Sequence, residues 1–426
     1  MYCVQSSLFI TTEIVLQYSK SLHAYQELFR VLDLSAIPDR RKQFGRKGYS
    51  VHAMIRALIV KHRERIDSIP RLIDHLDGNP VLAELCGFTP GVLPDATQFY
   101  RLLGHIKHSL LEQVLYTLNQ ALIEKDAITL DTFLMDSKPV LAATRENNPK
   151  NPDRNITDKE KTPKRNPAAT LGYLAKTPVG GKEFFWGYRN HAIITRDGIP
   201  LVEVTLPNTE SDAQAALTLI KKLKRVYRFK KGSLFIGDAA YDANALYDFI
   251  IDRLKCQAYI PGNPRAAKSP HILGEHGRPI CAAGIEMASD GQWKDTQRKA
   301  LKHKFICPLK TSKTLAKRYP GGCPANNPKF NGYGCTKYIQ ESYSARASIR
   351  RDTESYRKIY AQRIAIEQYF SRIGTLEADQ TTHYRLKTIR NQIIIAHISQ
   401  SLVALAAVSM NMPENIRCYR TFARIA

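Results

Sequence analysis

Apolar residues recur at three- and four-residue spacing over 22–34 (LHAYQELFRVLDL) and 51–61 (VHAMIRALIVK). That is the period of an amphipathic helix. The connector between them, DRRKQFGRKGYS, is basic and contains glycine. Pro70, Pro80, Pro90 and Pro94 then punctuate further short helices, and Asp95 or Thr97 is placed to cap the one that follows. The first 125 residues are therefore expected to be helical. The period alone does not separate a structural bundle from a DNA-binding one; the basic connector favours DNA.

From Ala127 the pattern shortens. ITLDTFLMDS, EFFWGYRNHAIIT and PLVEVTL read as strands, the last two forming a hairpin through Arg196-Asp197-Gly198. SDAQAALTLIKKLKRVYRF reads as a helix capped by Ser211 or Asp212. GSLFIGD is a strand buried on both faces, DANALYDFIIDRL a helix and CQAYIP a short strand. Three antiparallel strands followed by helix, strand, helix and strand predict an α/β mixed sheet flanked by helices. Two stretches interrupt it. Residues 139–182 are polar and proline-rich, too long for an ordinary loop, and are expected to be mobile without a ligand. Residues 263–351 hold 17 Lys and Arg against 5 Asp and Glu.

Charge narrows the function. The 426 residues are 43% hydrophobic, which excludes a disordered or fibrous chain. The net charge is +24, with half of it in the insertion at 263–351. Such an excess points to a polyanion, since each phosphate neutralised releases counterions. Eight scattered cysteines without a Cys-x-x-Cys pair suggest reduced thiols and a cytosolic setting. The start, MYCVQSSLFITTEIVLQYSK, lacks the basic region and cleavage site of a signal peptide. The apolar run 393–409 carries His397, Ser399, Gln400 and Ser401, so a buried helix is expected there. Neither a phosphate-binding P-loop nor a Gly-x-Ser-x-Gly elbow occurs, and no internal repeat is visible.

In so basic a chain, carboxylates at strand ends stand out. Asp136 follows Phe133-Leu134-Met135, and Asp238 follows Leu234-Phe235-Ile236-Gly237. Each alone reads more readily as a solvated turn residue. Asp131 and Asp242 are rivals; Asp242 is well placed as an N-cap. A third carboxylate lies in SYRKIYAQRIAIEQYFSRI, expected to be one helix. There Tyr360, Arg363 and Glu367 share a stripe, and Arg363 with Glu367 would ordinarily be a surface pair.

Taken together, two such aspartates and a glutamate after a basic insertion resemble the DDE transposases of prokaryotic insertion sequences. The resemblance is to the group with a Tyr-x-x-Arg-x-x-x-Glu signature, matched by Tyr360, Arg363 and Glu367. IGDAAYD around Asp238, the segments FFWGYRNHAII and GIPLVEVTLPNTESD, and the stretch from GYSVHAMIRALIV to PDATQFYRLL are similar to that family too. The likeness covers most of 31–407. It departs at Gly374, where the signature carries Lys seven residues after the Glu; Arg372 or Lys387 is the candidate substitute. It departs again at Ala239-Ala240, where Lys-Gly is common.

The resemblance implies a ribonuclease H-like catalytic core over 126–262 and 352–410. A helical domain (1–125) would bind DNA, the basic cysteine-containing insertion would occupy 263–351, and 411–426 would be a tail. Asp136, Asp238 and Glu367 would be catalytic and hold Mg²⁺, with Mn²⁺ as a substitute. Two such ions roughly 3.5–4 Å apart activate the attacking oxygen and stabilise the leaving one. Tyr360 and Arg363 would contact DNA near the cleaved phosphate. The expected activity is cleavage of element ends and strand transfer to target DNA, by a homodimer on double-stranded DNA in the cytoplasm, associated with the nucleoid. The alternatives are a nuclease of the same fold without strand transfer, and a DNA-binding protein without catalysis.

Cys281, Cys307, Cys323 and Cys335 are a further question. Their spacings are long and irregular, unlike a compact zinc ribbon, so ordinary thiols are the expected reading. Four thiolates on one zinc, with His303 as a substitute ligand, is the alternative. His191 reads as a structural residue. Trp186 and Trp293 suit packing as well as base stacking.

Overall fold

The computed structural model describes residues 12–39, 48–148, 150, 162–175, 182–263, 272–295, 300–342, 345, 346, 348–374, 381–418 and 422. The first part is helical: α1 (Thr12–Tyr18), α2 (Lys20–Val31), α3 (Val51–Arg63), α4 (Ile69–Asp77), α5 (Pro80–Cys86), α6 (Ala96–His105) and α7 (His108–Glu124). The starts are written in the sequence. Ser19, Ser50 and Ser68 each accept a hydrogen bond from a backbone N–H of the first turn, relieving donors that have no partner within the helix. Pro70 and Pro80 sit in first turns, where their missing N–H costs nothing. Asp95, not Thr97, caps α6, accepting from the Thr97 N–H at 2.7 Å.

Six strands form the main sheet: β1 (Thr132–Leu141), β2 (Thr170–Ala175), β3 (Lys182–Thr195), β4 (Pro200–Pro207), β5 (Leu234–Ile236) and β6 (Gln257–Tyr259). The order is β2-β3-β1-β5-β6, with β4 on the same side of β3 as β2. β3 is antiparallel to β1, β2 and β4, whereas β1, β5 and β6 run parallel. The hairpin turns at Gly198, whose φ of 79° suits glycine. Helix α8 (Asp212–Val226), capped by Ser211, connects β4 to β5 and packs on β3 and β4.

Two expectations are corrected here. The interruption at 139–182 is not a plain loop: β1 runs through Pro139 to Leu141, and β2 pairs with β3 from within it. Proline is tolerated because β1 pairs only with β3 at that level, so one edge needs no donor. Residues 149, 151–161 and 176–181 lie outside the described residues. DANALYDFIIDRL is likewise not one regular helix. A four-residue α9 (Asn244–Tyr247) passes into a π-turn over Asp248–Arg253.

The insertion carries its own antiparallel sheet of β7 (Ala288–Asp295), β8 (Ala300–Ile306) and β9 (Thr336–Ser342). Short helices α10 (Pro308–Thr311) and α11 (Lys313–Arg318) follow β8. The chain then returns through α12 (Glu354–Tyr360), α13 (Ile364–Gly374) and α14 (Leu386–Ser409). Helix α14 is apolar and long enough to cross a membrane, but it is almost wholly buried in this protein. It packs against α2, α3, α6, α7 and β4. One hydrophobic core consequently runs from Tyr25 and Leu58 in the helical region to Phe133 and Phe235 in the sheet.

Candidate active site

Asp136 and Asp238 are brought together by strand register. Leu134 of β1 lies beside Ile236 of β5 in a parallel pair. Two residues further on, β1 carries Asp136, and the chain just past the end of β5 carries Asp238. Gly237 keeps the second strand close: a Cβ there would meet Tyr241 at 3.1 Å and Met135 at 3.3 Å. Asp238 then caps a 3-10 turn, accepting from the Ala240 N–H at 2.9 Å. Asp136 corrects the sequence reading in one respect. It is not at the end of its strand but mid-strand, opposite Ala192, where β5 has stopped and the burial of β1 loosens.

Glu367 arrives from α13. The segment expected as one helix is broken: α12 ends at Tyr360, residues Ala361–Arg363 form a 3-10 turn, and α13 begins at Ile364. Winding three residues per turn instead of 3.6 changes the phase of the stripe. Arg363 sits in that turn and forms two ion pairs, to Asp136 Oδ2 at 2.8 Å and to Glu367 Oε1 at 2.5 Å. The guanidinium thus links the carboxylate of β1 to that of α13. The Tyr360 ring stacks on Tyr356, and its hydroxyl feels the charge of Arg363, Asp238 and Asp136.

The electrostatics follow from crowding. Burial pushes the Asp136 carboxyl up to about 6; Arg363 and the Ser137 N–H pull it down, while Asp238 and Glu367 raise it. Arg363 thus holds Asp136 and Glu367 directly, and the charge of Asp238 also reaches Asp136. Asp212, at the start of α8, is a fourth carboxylate. Burial raises it first, Arg189 opposes, and Asp238 raises it further. The sequence reading took Asp212 only as a cap; spatial closeness to Asp238 had no signal in the chain. Tyr241 lies buried beneath these acids and feels Asp136, Asp212 and Asp238 together. His191 is buried with its Nδ1 3.7 Å from Asp212, and burial lowers it to about 3, so the ring is neutral.

The rivals separate. Asp131 is exposed just before β1, 3.7 Å from Arg196. Asp242 is not an N-cap. Its fully buried carboxylate accepts from Arg346 Nε and Nη2 at 2.7 Å, the Tyr247 hydroxyl at 2.7 Å and the Asn263 N–H at 2.7 Å. It fastens the insertion to the core. Neither candidate substitute at the Gly374 level faces the acids. Arg372 donates to the Gly198 carbonyl at 3.2 Å, and Lys387 to the His105 carbonyl at 3.3 Å. Trp186 is buried and Trp293 is exposed on the insertion sheet.

Carboxylate oxygens suit a hard divalent cation. Among the described residues, no three His, Cys, Asp or Glu side chains stand close enough to share one. The donor set fits such an ion in kind, with Arg363 holding Asp136 and Glu367 in its place.

An α/β chain with a mixed sheet, coupled aspartates and a helix-borne glutamate matches known protein families over most of its length. Residues 131–402 match the transposase DDE domain family, and residues 15–103 match a second transposase domain family, DUF772. The chain belongs to the transposase DDE domain family. A Brucella ovis protein named as a transposase for insertion sequence element IS6501 is 37% identical over 82 residues, which is 19% of this chain and 58% of that relative. A cryo-EM structure of the piggyBac transposase synaptic complex with hairpin DNA aligns over 97% of this chain and 82% of that one. Its identity is 12% and its TM-score 0.41, too low to define a shared fold.

Proposed function

We propose that this protein is a DNA transposase that cleaves the ends of an insertion sequence and transfers the freed strands to target DNA. The observation that carries the reading is the pairing of Arg363 with both Asp136 and Glu367, with the charge of Asp238 acting on Asp136 and Arg363, within a chain of the transposase DDE domain family. The strand order β4-β3-β1-β5-β6, with β3 antiparallel to its neighbours and β5 and β6 parallel to β1, supports a ribonuclease H-like core.

Asp136, Asp238 and Glu367 would hold Mg²⁺, or Mn²⁺ in its place. Bound there, such ions would activate the attacking oxygen and stabilise the leaving one. The chain's own residues do the rest. Asp136 would hold the ion in its ionised form. Arg363, now paired with Asp136 and Glu367, carries a guanidinium fork that would suit a phosphate. Tyr360 flanks the same position with a hydroxyl and a ring face. The basic insertion supplies the long-range attraction for DNA, and a homodimer would hold two element ends together.

The test uses purified protein and DNA bearing the gene's own flanking ends, with Mg²⁺ or Mn²⁺, and EDTA as control. Cuts at the ends that disappear with EDTA and in Glu367→Ala are expected, together with joined products when target DNA is added. Cuts without joining would mean a nuclease. Salt-sensitive binding without any cut would mean a DNA-binding protein without catalysis.

A further inference from the structure

The four insertion cysteines, scattered in sequence, meet at one end of the insertion sheet. Ile306 of β8 pairs with Thr336 of β9. The next residues outward on the two antiparallel strands are Cys307 and Cys335, which therefore face each other across the open end. The chain presses closely there. A Cβ on Gly334 would stand 2.5 Å from the Cys307 Cβ and 3.4 Å from its Sγ.

Cys281 comes to the same end in a tight turn. Its N–H donates to the Ile285 carbonyl at 2.9 Å, and its carbonyl accepts from the Gly284 N–H at 3.0 Å. Lys337 of β9 donates to the Ile280 carbonyl at 2.8 Å, tying that turn to the sheet. Cys281 and Cys335 line one groove of about 420 Å³ with Asn327 and Lys329. Cys323 begins another turn, closed by the Asn326 N–H on the Cys323 carbonyl at 2.8 Å. Gly322 packs against Phe330, whose ring lies under Lys310 at 4.5 Å. Gly334 then returns to the Lys329 carbonyl at 2.9 Å. The Cys335 thiol is raised first by burial and then by charge at Cys307, Cys323 and Cys281, so all four sulfurs lie within electrostatic reach.

We propose that Cys281, Cys307, Cys323 and Cys335 form a tetrathiolate site for Zn²⁺ that closes the open end of the insertion sheet. Soft sulfur donors select zinc over the hard cation of a carboxylate site. Four protein ligands leave no open position, so the role is structural. Lys310, Lys329 and Lys337 lie around the site and offset the net negative charge of a tetrathiolate centre. His303 is not the fourth ligand. It stacks on Phe305 and lines a different groove, with Arg351 and Asp352. The thiols are free in the structure, and among the described residues no three are within ligating reach of one point. Binding thus draws the Cys281 and Cys323 turns inward and rigidifies the insertion.

The test uses the full chain purified under reducing conditions, without DNA, so it does not depend on the transposase reading. Elemental analysis should find about one zinc per chain, as a single tetrathiolate site requires. A mercurial reagent should release that zinc. Cys335→Ser should lose it, and Cys418→Ser, outside the insertion, should keep it. Because Cys335→Ser can loosen the insertion by itself, Co²⁺ exchanged into the unaltered chain gives an independent readout: thiolate-to-cobalt charge-transfer bands and the strong visible bands of a tetrahedral ion. Absence of zinc, zinc retained by Cys335→Ser, a cobalt spectrum without thiolate bands, or a Cys307–Cys335 disulfide in the reduced preparation would each overturn the proposal.

Discussion

At the scale of single residues, Asp136 couples structure to pH. Its folded pKa of about 6 lies above the ordinary 3.8. Between those values the folded chain holds a proton that the unfolded chain has released. Asp136 therefore costs stability as pH rises through that window, by about 3 kcal/mol once fully ionised. The melting temperature of metal-free Asp136→Ala, relative to the unaltered protein, should climb between about pH 4 and 6. A flat difference would show that the carboxylate is not held high. In the divalent-metal reaction the ion competes with that proton, so cleavage should rise with pH and its midpoint should fall as the metal concentration is raised. Arg363 lowers Asp136, so any residual cleavage by Arg363→Ala should have its midpoint shifted upward, alongside weaker binding of DNA ends. Asp136→Ala, Asp238→Ala and Glu367→Ala should each abolish cleavage while filter binding of DNA persists.

At the scale of elements, buried charge joins pieces that are distant in the chain. Burial would raise the Glu203 carboxyl on β4, but the hydrogen bond and charge of His108, with Lys222, hold it down to about 2. Asn190 of β3 also donates to it at 2.7 Å. Glu203 therefore links α7, α8, β3 and β4. Asp242 does the same between the core and the insertion through Arg346. Removing one partner leaves the other charge uncompensated, so Asp242→Asn should cost about 3 kcal/mol in denaturant unfolding. Asp131→Ala, at an exposed 3.7 Å contact, should cost about 0.5 kcal/mol or less. Equal losses in the two variants would contradict the burial difference.

For the whole molecule, the +24 net charge and its concentration in the insertion make DNA affinity a matter of ionic strength. Binding should weaken roughly a thousandfold between about 50 and 200 mM salt if six or more phosphates are neutralised. Fluorescence anisotropy would read the slope, and a salt-independent affinity would count against the electrostatic account. Gly374→Lys, which adds a cation at the end of α13, should tighten end binding several-fold and steepen that slope.

The sequence by itself determined the helices of the first 125 residues, the hairpin at Gly198, the strand carrying Asp136 and the one that ends just before Asp238, and the buried character of α14. These follow from local periodicity, caps and turn residues, which need only near neighbours. It also singled out Tyr360, Arg363 and Glu367. Their shared signature survives the 3-10 break that their helical period did not reveal. Only the tertiary structure decided that Arg363 bridges Asp136 and Glu367, and that Asp212 and Tyr241 stand beside the same acids. The tertiary structure likewise gave Asp242 to Arg346 instead of a helix end, and brought four distant cysteines to one end of a sheet. Each of these depends on strand register and helix packing across tens to hundreds of residues. Periodicity along the chain fixes which face a side chain takes, and folding alone fixes what that face meets.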